Sequence, residues 1–170
     1  WCRCLPVSGP PFAAQRPDVY LANSDFIAAS IAHYYDREAA VLVPPVDTER
    51  FRPGLQEQKQ DFYLGFGRLV PQKRFDLLID TFKKMPHQRL VIAGTGRKEQ
   101  ELKHCARDVP NVEFRGFVPD RDVPKLMGQA KALLFPQLED AGITALEALA
   151  AGTPVIAYGK GGVTTTLQDG

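Results

Sequence analysis

The chain has 170 residues, and its 21 basic and 20 acidic side chains leave a net charge of +1 with no block of like charge, so the sequence does not indicate a nucleic-acid surface. Hydrophobic residues make up 44% and charged residues 24%, the composition of a soluble globular domain with a core. No apolar run approaches the roughly 18 residues that a membrane-spanning helix needs. The three cysteines, Cys2, Cys4 and Cys105, lack the spacing of a metal site and fit a reducing cytoplasm.

The predicted elements begin after a proline-rich opening. A short strand over 18–22 is followed by Asn23-Ser24, which can cap a helix running to about Tyr35, and by a strand over 39–43. Pro44-Pro45 then break the chain, and residues 46–59 are polar enough to form a linker. Beyond it the predicted strands are 62–66, 89–93, 111–114, 132–135 and 154–158, and the predicted helices are 73–85, 97–107, 121–130 and 143–151.

The alternation of strands and helices indicates the fold class. Several of the predicted strands are continuous apolar runs, which is typical of strands buried on both faces of a parallel sheet. The pattern therefore predicts an α/β fold, a Rossmann-like, doubly wound parallel sheet with helices on both faces. Because the chain stops after a short helix with no sixth strand, we expect the domain to be truncated at its C-terminus.

Positive charge follows the strand at 62–66. Arg68 comes after two glycines, Gly65 and Gly67, and Lys73 begins the next helix. Ligands of open parallel sheets bind beyond the carboxyl ends of the strands, and glycine lets the backbone turn tightly there. Arg68 and Lys73 are therefore candidates for holding a diphosphate, and the alternative is a basic loop whose side chains are simply solvated.

The next two strand ends carry weaker signals. Gly94 and Gly96 begin a dinucleotide-binding fingerprint, but Glu99 occupies the position of its third glycine. We therefore interpret Gly94 as part of a turn first and as a ligand cradle second. After the strand at 111–114, Phe117 and Val118 are placed to face a flat base, and a turn with one packed aromatic side chain is an equal alternative.

Two glutamates with seven residues between them, Glu139 and Glu147, carry the sharpest signal. Glu139 lies in the loop after the strand at 132–135, Glu147 lies two turns into the next helix, and the N-terminus of that helix is at Gly142. Carboxylates accept hydrogen bonds from sugar hydroxyls, while N–H groups at a helix start attract phosphate. The pattern predicts a site for a nucleotide sugar.

In their order along the chain, these motifs resemble the retaining glycosyltransferases of family 4, two-domain enzymes of the GT-B fold. The similarity covers nearly everything from about Asp18 to Gly170. The motifs that carry it are Pro44-Pro45-Val46-Asp47, Gly67-Arg68-Leu69-Val70-Pro71-Gln72-Lys73, Gly116-Phe117-Val118, the run from Glu139 to Glu147, and Gly152-Thr153-Pro154-Val155-Ile156-Ala157 with Gly161-Gly162. This chain departs from the family at Ala141, where an aromatic residue is common, and after Gly162, where a glutamate is common.

The resemblance implies a division into domains. Residues 1–45 would be a remnant of the N-terminal acceptor domain, residues 46–60 the interdomain hinge, and residues 61–170 an incomplete donor-binding domain. It also implies the substrate-binding residues, which are Gly67, Arg68, Lys73, Gly94, Phe117, Val118, Glu139, Gly142, Ile143, Thr144 and Glu147.

Each of these residues has an expected role by the same resemblance. Arg68 and Lys73 would hold the donor diphosphate, Glu139 would contact hydroxyls of the transferred sugar, and these three form the expected catalytic group. Glu147 would accept hydrogen bonds from the ribose. Backbone N–H groups around Gly142, Ile143 and Thr144 would help to hold the phosphate, and the base would lie near Phe117 and Val118.

The charge on the leaving phosphate does not call for a metal or another cofactor. Arg68, Lys73 and the helix terminus at Gly142 are placed to stabilise that charge as it develops. Asp120 and Asp122 match the two-aspartate pattern that holds a divalent metal in another class of glycosyltransferases. They precede a helix, however, where Asp120 is a good cap and Asp122 favours the first turn.

We therefore expect a retaining hexosyltransferase of polysaccharide or glycoconjugate synthesis, with GDP-mannose as the first choice of donor and a UDP-sugar as the next. A saccharide or polyprenol-linked acceptor would bind through the missing domain, so the isolated fragment would be inactive. The alternatives are another GT-B enzyme, such as a sugar-nucleotide epimerase or a glycogen-synthase-like enzyme, and a non-catalytic nucleotide-sugar-binding module. We expect the protein to be located in the cytoplasm, at the inner face of the membrane, where it would contact the membrane peripherally. We expect no nucleic-acid partner.

Overall fold

The computed structural model describes residues 12–53 and 58–168, which fall into two compact units. Of the described residues, one unit comprises 12–45, 139–141 and 160–168, and the larger comprises 46–53, 58–138 and 142–159. Cys2, Cys4 and part of the predicted hinge lie outside the described residues. The helices are α1 Asp25–Tyr35, α2 Phe75–Lys83, α3 Glu99–Cys105, α4 Val123–Gln129, α5 Ile143–Ala150 and α6 Val163–Thr166. The strands are β1 Leu21–Ala22, β2 Ala40–Val41, β3 Tyr63–Phe66, β4 Leu90–Ala93, β5 Val112–Gly116, β6 Ala132–Phe135 and β7 Val155–Ala157.

The smaller unit contains the predicted strand–helix–strand segment. β1 and β2 pair in parallel, with Leu21 opposite Ala40, and α1 connects them. Ser24 caps α1 as predicted, because its side-chain oxygen accepts a hydrogen bond of 3.2 Å from the N–H of Ile27. The two strands have two residues each, which is shorter than the sequence pattern predicts.

The larger unit is built on one five-stranded parallel sheet in the order β5-β4-β3-β6-β7. This order, with the chain turning back beside β3 to form β6, is that of a doubly wound Rossmann-like domain. Strictly alternating strands and helices favour this order, because parallel neighbouring strands need a crossover between them. The predicted fold class is therefore confirmed.

The core explains why the strands are apolar runs. All four residues of β4 are fully buried, since β4 has neighbours on both sides and packed side chains on its faces. Phe75, Leu78, Ile79 and Phe82 form one buried stripe of α2 at helical spacing, and they pack in the same cluster as Leu90 and Ile92 of β4.

Two predicted helices start differently from the sequence pattern. The helix expected from Lys73 begins as a 3-10 turn, Pro71–Lys73, and α2 starts only after Arg74, whose left-handed backbone (φ 53°) separates the two. The helix expected from Arg121 begins as a second 3-10 turn, Asp120–Asp122. The expectation that Asp120 caps this helix is wrong, because neither that turn nor α4 has a side-chain cap. Within the described part of the chain, no helix is both long and apolar enough to cross a membrane.

Candidate functional site

The carboxyl ends of the larger unit's strands carry most of the predicted site. Because every neighbouring pair of strands is parallel, these ends meet at one edge of the sheet. Gly67 and Arg68 follow β3, Gly94 follows β4, and Phe117 follows β5. β3 and β6 are the strands between which the chain reverses direction across the sheet, and this switch point is where ligands of such folds bind.

The loops after β3 and β4 are joined through their backbones. Gly67 N donates to the oxygen of Ala93 at 3.0 Å, and Leu69 N donates to the oxygen of Thr95 at 2.9 Å. A Cβ atom on Gly94 would lie 1.9 Å from the backbone oxygen of Gly67, and the φ of Gly94 is +133°. Gly94 is therefore required for the packing of two loops, and its contact with a ligand stays a prediction.

Lys73 lies at the switch point. Its Nζ is 6.0 Å from the ring centre of Phe135 at the end of β6, and it would be 3.9 Å from a Cβ on Gly67. Burial lowers the pKa of Lys73, and the neighbouring charge of Arg68 lowers it further. The positive charges of Lys73 and Arg68 repel each other at the end of β3. An anion bound between or beside them would stabilise the charged form of both side chains.

The N-terminus of α5 is where the sequence places it. Gly142 is buried with a φ of +73°, and α5 begins at Ile143. Ala145 N donates to the oxygen of Gly142 at 2.9 Å. The N–H groups of Ile143 and Thr144 lie in the first turn, where no intrahelical acceptor exists, and the positive end of the helix dipole adds to them. This arrangement suits a phosphate.

Glu147 projects from the second turn of α5 and is half-buried. Burial raises the pKa of Glu147, the positive charge of Arg50 opposes the rise, and the negative charge of Asp120 adds to it. A carboxylate in such surroundings lacks full hydration, so sugar hydroxyls that donate to it would replace water at a favourable site.

Phe117 is exposed, which argues against one of the two interpretations of the loop after β5 and leaves its contact with a base a prediction. Its side chain is 74% exposed, and it follows Gly116, whose φ is +70°. The alternative of a turn with a packed aromatic side chain is therefore wrong. An exposed ring at the carboxyl edge of the sheet offers a flat face for a base, and Val118 beside it in sequence is half-buried.

Glu139 is not grouped with these residues, because residues 139–141 belong to the smaller unit. There its backbone oxygen accepts a hydrogen bond of 2.7 Å from Gly162 N. The side chain of Glu139 is half-buried. The structure therefore gathers the phosphate, base and ribose candidates in one unit and describes the sugar candidate in the other.

The sequence interpretation missed residues in the segment expected to be a linker. Asp47 Oδ1 accepts a hydrogen bond of 3.0 Å from Arg50 N, which forms a turn, and Phe51 beside it is only 2% exposed. Lys59 Nζ donates to the oxygens of Ala130 and Gly152 at 3.0 Å and to Thr153 Oγ1 at 2.7 Å. An aromatic residue in a polar segment was the one local signal of this anchoring, and the hinge role of residues 46–60 stays a prediction.

Two further features bear on ligands. Among residues 12–53 and 58–168, no three His, Cys, Asp or Glu side chains come together to hold a metal ion. A groove of 470 Å³ lies against α2 and is lined by apolar residues such as Leu77, Met85, Leu134 and Ile156. No charged side chain in the described part of the chain lines this groove, so it does not suit a diphosphate.

Solved structures share this fold. The chain superposes on the crystal structure of Anabaena Alr3699/HepE in complex with UDP and glucose with a TM-score of 0.79 over 93% of this chain and 49% of that one, at 22% identity. The pneumococcal O-GlcNAc transferase GtfA in complex with UDP and GlcNAc gives a TM-score of 0.73 over 93% of this chain and 33% of that one, at 20% identity. These likenesses show the fold, a Rossmann-like domain such as GT-B proteins contain.

The chain belongs to the family of glycosyl transferases group 1, whose sequence model matches residues 46–170. It is 35% identical over 147 residues to the GDP-mannose-dependent monoacylated alpha-(1-6)-phosphatidylinositol monomannoside mannosyltransferase of Corynebacterium glutamicum, a match that covers 72% of this chain and 39% of that protein. It is 32% identical over 178 residues to the GDP-mannose-dependent alpha-(1-6)-phosphatidylinositol monomannoside mannosyltransferase of Mycobacterium tuberculosis, covering 89% and 46%. The chain thus spans less than half the length of these relatives.

Proposed function

We propose that the larger unit binds a nucleoside diphosphate sugar and is the donor-binding part of a retaining glycosyltransferase. The observation that carries the proposal is the pair of cations, Lys73 and Arg68, at the switch point between β3 and β6. The N-terminus of α5 follows β6 and adds backbone N–H groups. A diphosphate is the ligand that this set of charges suits.

The chemistry follows from where charge develops. When the bond from the anomeric carbon to the diphosphate breaks, negative charge grows on the leaving phosphate. Arg68, Lys73 and the α5 terminus stabilise that charge more strongly than they stabilise the bound donor, which lowers the barrier. No metal or other cofactor is needed in this account. Glu147 accepts hydrogen bonds from the ribose, Phe117 and Val118 hold the base, and Glu139 orients the sugar.

GDP-mannose is the donor that we favour, and UDP-sugars come next. The two mannosyltransferases named above are GDP-mannose-dependent, and they are the relatives that support this choice. The solved structures with UDP support the second choice. Retention of configuration is taken from the family.

The acceptor half of the enzyme is also part of the proposal. The acceptor is a saccharide or a lipid-linked sugar of polysaccharide or glycoconjugate synthesis, bound mainly by a domain of which residues 1–45 are the last piece. Residues 46–60 are the hinge and residues 61–170 the donor domain. The protein works in the cytoplasm at the inner face of the membrane, and the 170-residue chain alone binds the donor without transferring it.

Calorimetric titration of the chain with GDP-mannose, UDP-glucose, GDP, GMP and NAD, all in EDTA, tests the proposal. We expect one base to be preferred, the diphosphate to bind more tightly than the monophosphate, and NAD not to bind. Binding of NAD alone, or nucleotide binding that appears only when Mg²⁺ replaces EDTA, would contradict it. In a longer protein that includes the acceptor domain, release of free sugar without an acceptor would favour epimerase-like chemistry instead.

A further inference from the structure

One buried hydroxyl in the smaller unit makes two connections. Ser24 is fully buried, and its Oγ accepts the N–H of Ile27 at 3.2 Å, which caps α1. The same Oγ donates a short hydrogen bond to the backbone oxygen of Asp140. Asn23 Oδ1, at 3.5 Å, is the more distant acceptor. A hydroxyl has one proton to donate, so Ser24 donates its proton in the hydrogen bond to the backbone oxygen of Asp140.

The loop that contains Asp140 is held from a second side. Gly162 N donates to the oxygen of Glu139 at 2.7 Å. Gly162 also leaves no room for a side chain, since a Cβ there would lie 1.6 Å from the oxygen of Asp140. The backbone carbonyls of Glu139 and Asp140 are therefore both fixed, one by Gly162 and one by Ser24.

The start of α1 is tied to the same region by a further bond. Asp25 N donates to Thr165 Oγ1 in α6 at 3.1 Å. Asp25 is the first residue of α1, so the N-terminus of this helix meets both the Glu139 loop and the segment after Gly162. Hydrogen bonds thus connect the cap of α1 to the loop and to α6.

We propose that Ser24 is a positioning residue, which holds the loop of Glu139 against the start of α1 and so fixes the direction of the Glu139 carboxylate. The contact of Glu139 with the transferred sugar rests on the proposed function, whereas the link between Ser24 and the loop rests on the hydrogen bonds alone. Through this link, the cap of α1 sets how the Glu139 carboxylate is presented to the sugar.

Substitutions at Ser24 separate the cap from the link. In Ser24→Asp, the carboxylate still accepts the N–H of Ile27, so the helix keeps its cap, but it has no proton to donate to Asp140. Ser24→Thr keeps both functions. Ser30→Ala is the matched control on the same helix, because Ser30 Oγ donates to the oxygen of Phe26 within α1, at 2.9 Å. Melting temperatures of all variants show whether the fold is kept.

The readout is the protein's affinity for a nucleotide sugar divided by its affinity for the matching nucleoside diphosphate. GDP-mannose and GDP are the first pair, and UDP-glucose and UDP are the second. We expect Ser24→Asp to lower this ratio about five- to tenfold, roughly the loss of one hydrogen-bonded contact, while affinity for the diphosphate stays unchanged. Ser24→Thr and Ser30→Ala keep the parent ratio. Equal losses for both ligands, or an unchanged ratio in Ser24→Asp, would overturn the proposal.

Hydrogen exchange of the loop in the absence of ligand gives a second readout that is independent of donor binding. Ser24→Asp should speed exchange at Gly162, whose N–H donates to the oxygen of Glu139, relative to Ser30→Ala, and equal exchange would overturn the link. If Glu139→Ala leaves the parent ratio unchanged, the sugar contact in the proposed function fails, and the exchange measurement still decides the role of Ser24.

Discussion

Arg50 Nη2 donates a hydrogen bond of 2.6 Å to the backbone oxygen of Asp120, and this bond joins the segment before β3 to the turn before α4. The carboxylate of Asp120 lies farther from the guanidinium, at 3.9 Å, and is almost fully exposed. Arg50 is thereby held where its charge acts on Glu147. Its role in the larger unit is to favour the ionised form of a half-buried carboxylate.

Replacement of Arg50 tests that role. In Arg50→Met the cation that opposes the effect of burial is lost, so the pKa of Glu147 should rise further above its ordinary value. Affinity for the nucleotide should then weaken at a higher pH than in the parent as the solution is acidified, because a protonated carboxyl accepts ribose hydroxyls poorly. Carbon NMR titration of the glutamate carboxyls, with calorimetry at the same pH values, measures both. Arg52→Met is the control, since Arg52 pairs with the exposed Glu49 at 3.6 Å; an unchanged titration in Arg50→Met would contradict the assignment.

Glu147→Gln should separate stability from binding. The folded-state pKa of Glu147 is raised above 4.5, so the folded protein holds this proton more tightly than the unfolded chain does. The ionised side chain therefore disfavours folding at neutral pH, and that penalty disappears as the pH falls through the folded pKa and below 4.5. We expect the glutamine variant to melt no lower than the parent at pH 7, with the difference shrinking toward pH 4, and to bind the nucleotide about tenfold more weakly. Thermal scans between pH 4 and 7 measure the stability difference, with Glu38→Gln as an exposed control. Calorimetry measures the affinity for the nucleotide, and a Glu147→Gln variant that binds like the parent would refute the ribose role.

Arg68→Ala should discriminate between phosphates. If Arg68 contacts the donor diphosphate, its loss should weaken GDP binding about tenfold or more and GMP binding much less. Arg89→Ala is the matched control, because Arg89 lies just before β4, at the opposite end of that strand from Gly94, where it pairs with Glu113 at 3.2 Å. Titration calorimetry with both nucleotides gives the result. Equal losses of affinity for GDP and for GMP would show that Arg68 does not contact the diphosphate.

Gly94→Ala should damage the fold before it affects any ligand. The added methyl would lie 1.9 Å from the Gly67 oxygen on a backbone with φ +133°, so we expect a loss of unfolding free energy of about 3 kcal/mol or more. Gly159→Ala should be close to neutral, since nothing lies within 4 Å of its added methyl. Urea unfolding compares the two. A stable Gly94→Ala variant would show that the loops after β3 and β4 separate easily.

The sequence predicts the parts of this structure that local pattern controls. The apolar run of β4 identifies a strand buried on both faces, and Gly142 identifies where α5 begins. The alternation of elements then leaves few topologies for the sheet. The position of Ser24 before α1 likewise shows a cap, although it does not show that the same hydroxyl reaches Asp140, which is 116 positions away.

The remaining features depend on contacts between distant positions. Arg50 meets Asp120 across 70 positions, and Lys59 meets Thr153 across 94, and no periodicity within a segment signals either contact. Asp120 illustrates the opposite error. Its place before a helix favours a cap, but the chain enters α4 through a 3-10 turn and the side chain points to solvent near Arg50.

Thermal unfolding of the chain with GDP-mannose, beside the Glu147→Ala variant, tests the central claim most directly. A ligand at about a hundred times its dissociation constant adds roughly 2.7 kcal/mol to the free energy of unfolding, which raises the melting temperature by several degrees. We predict such a shift in the parent and a shift about half as large in the variant, because a roughly tenfold weaker affinity leaves the ligand at about ten times its dissociation constant, with both proteins folded by circular dichroism. An equal shift in both proteins, or no shift with GDP-mannose or UDP-glucose in a folded parent, would contradict a nucleotide-sugar site at this edge of the sheet.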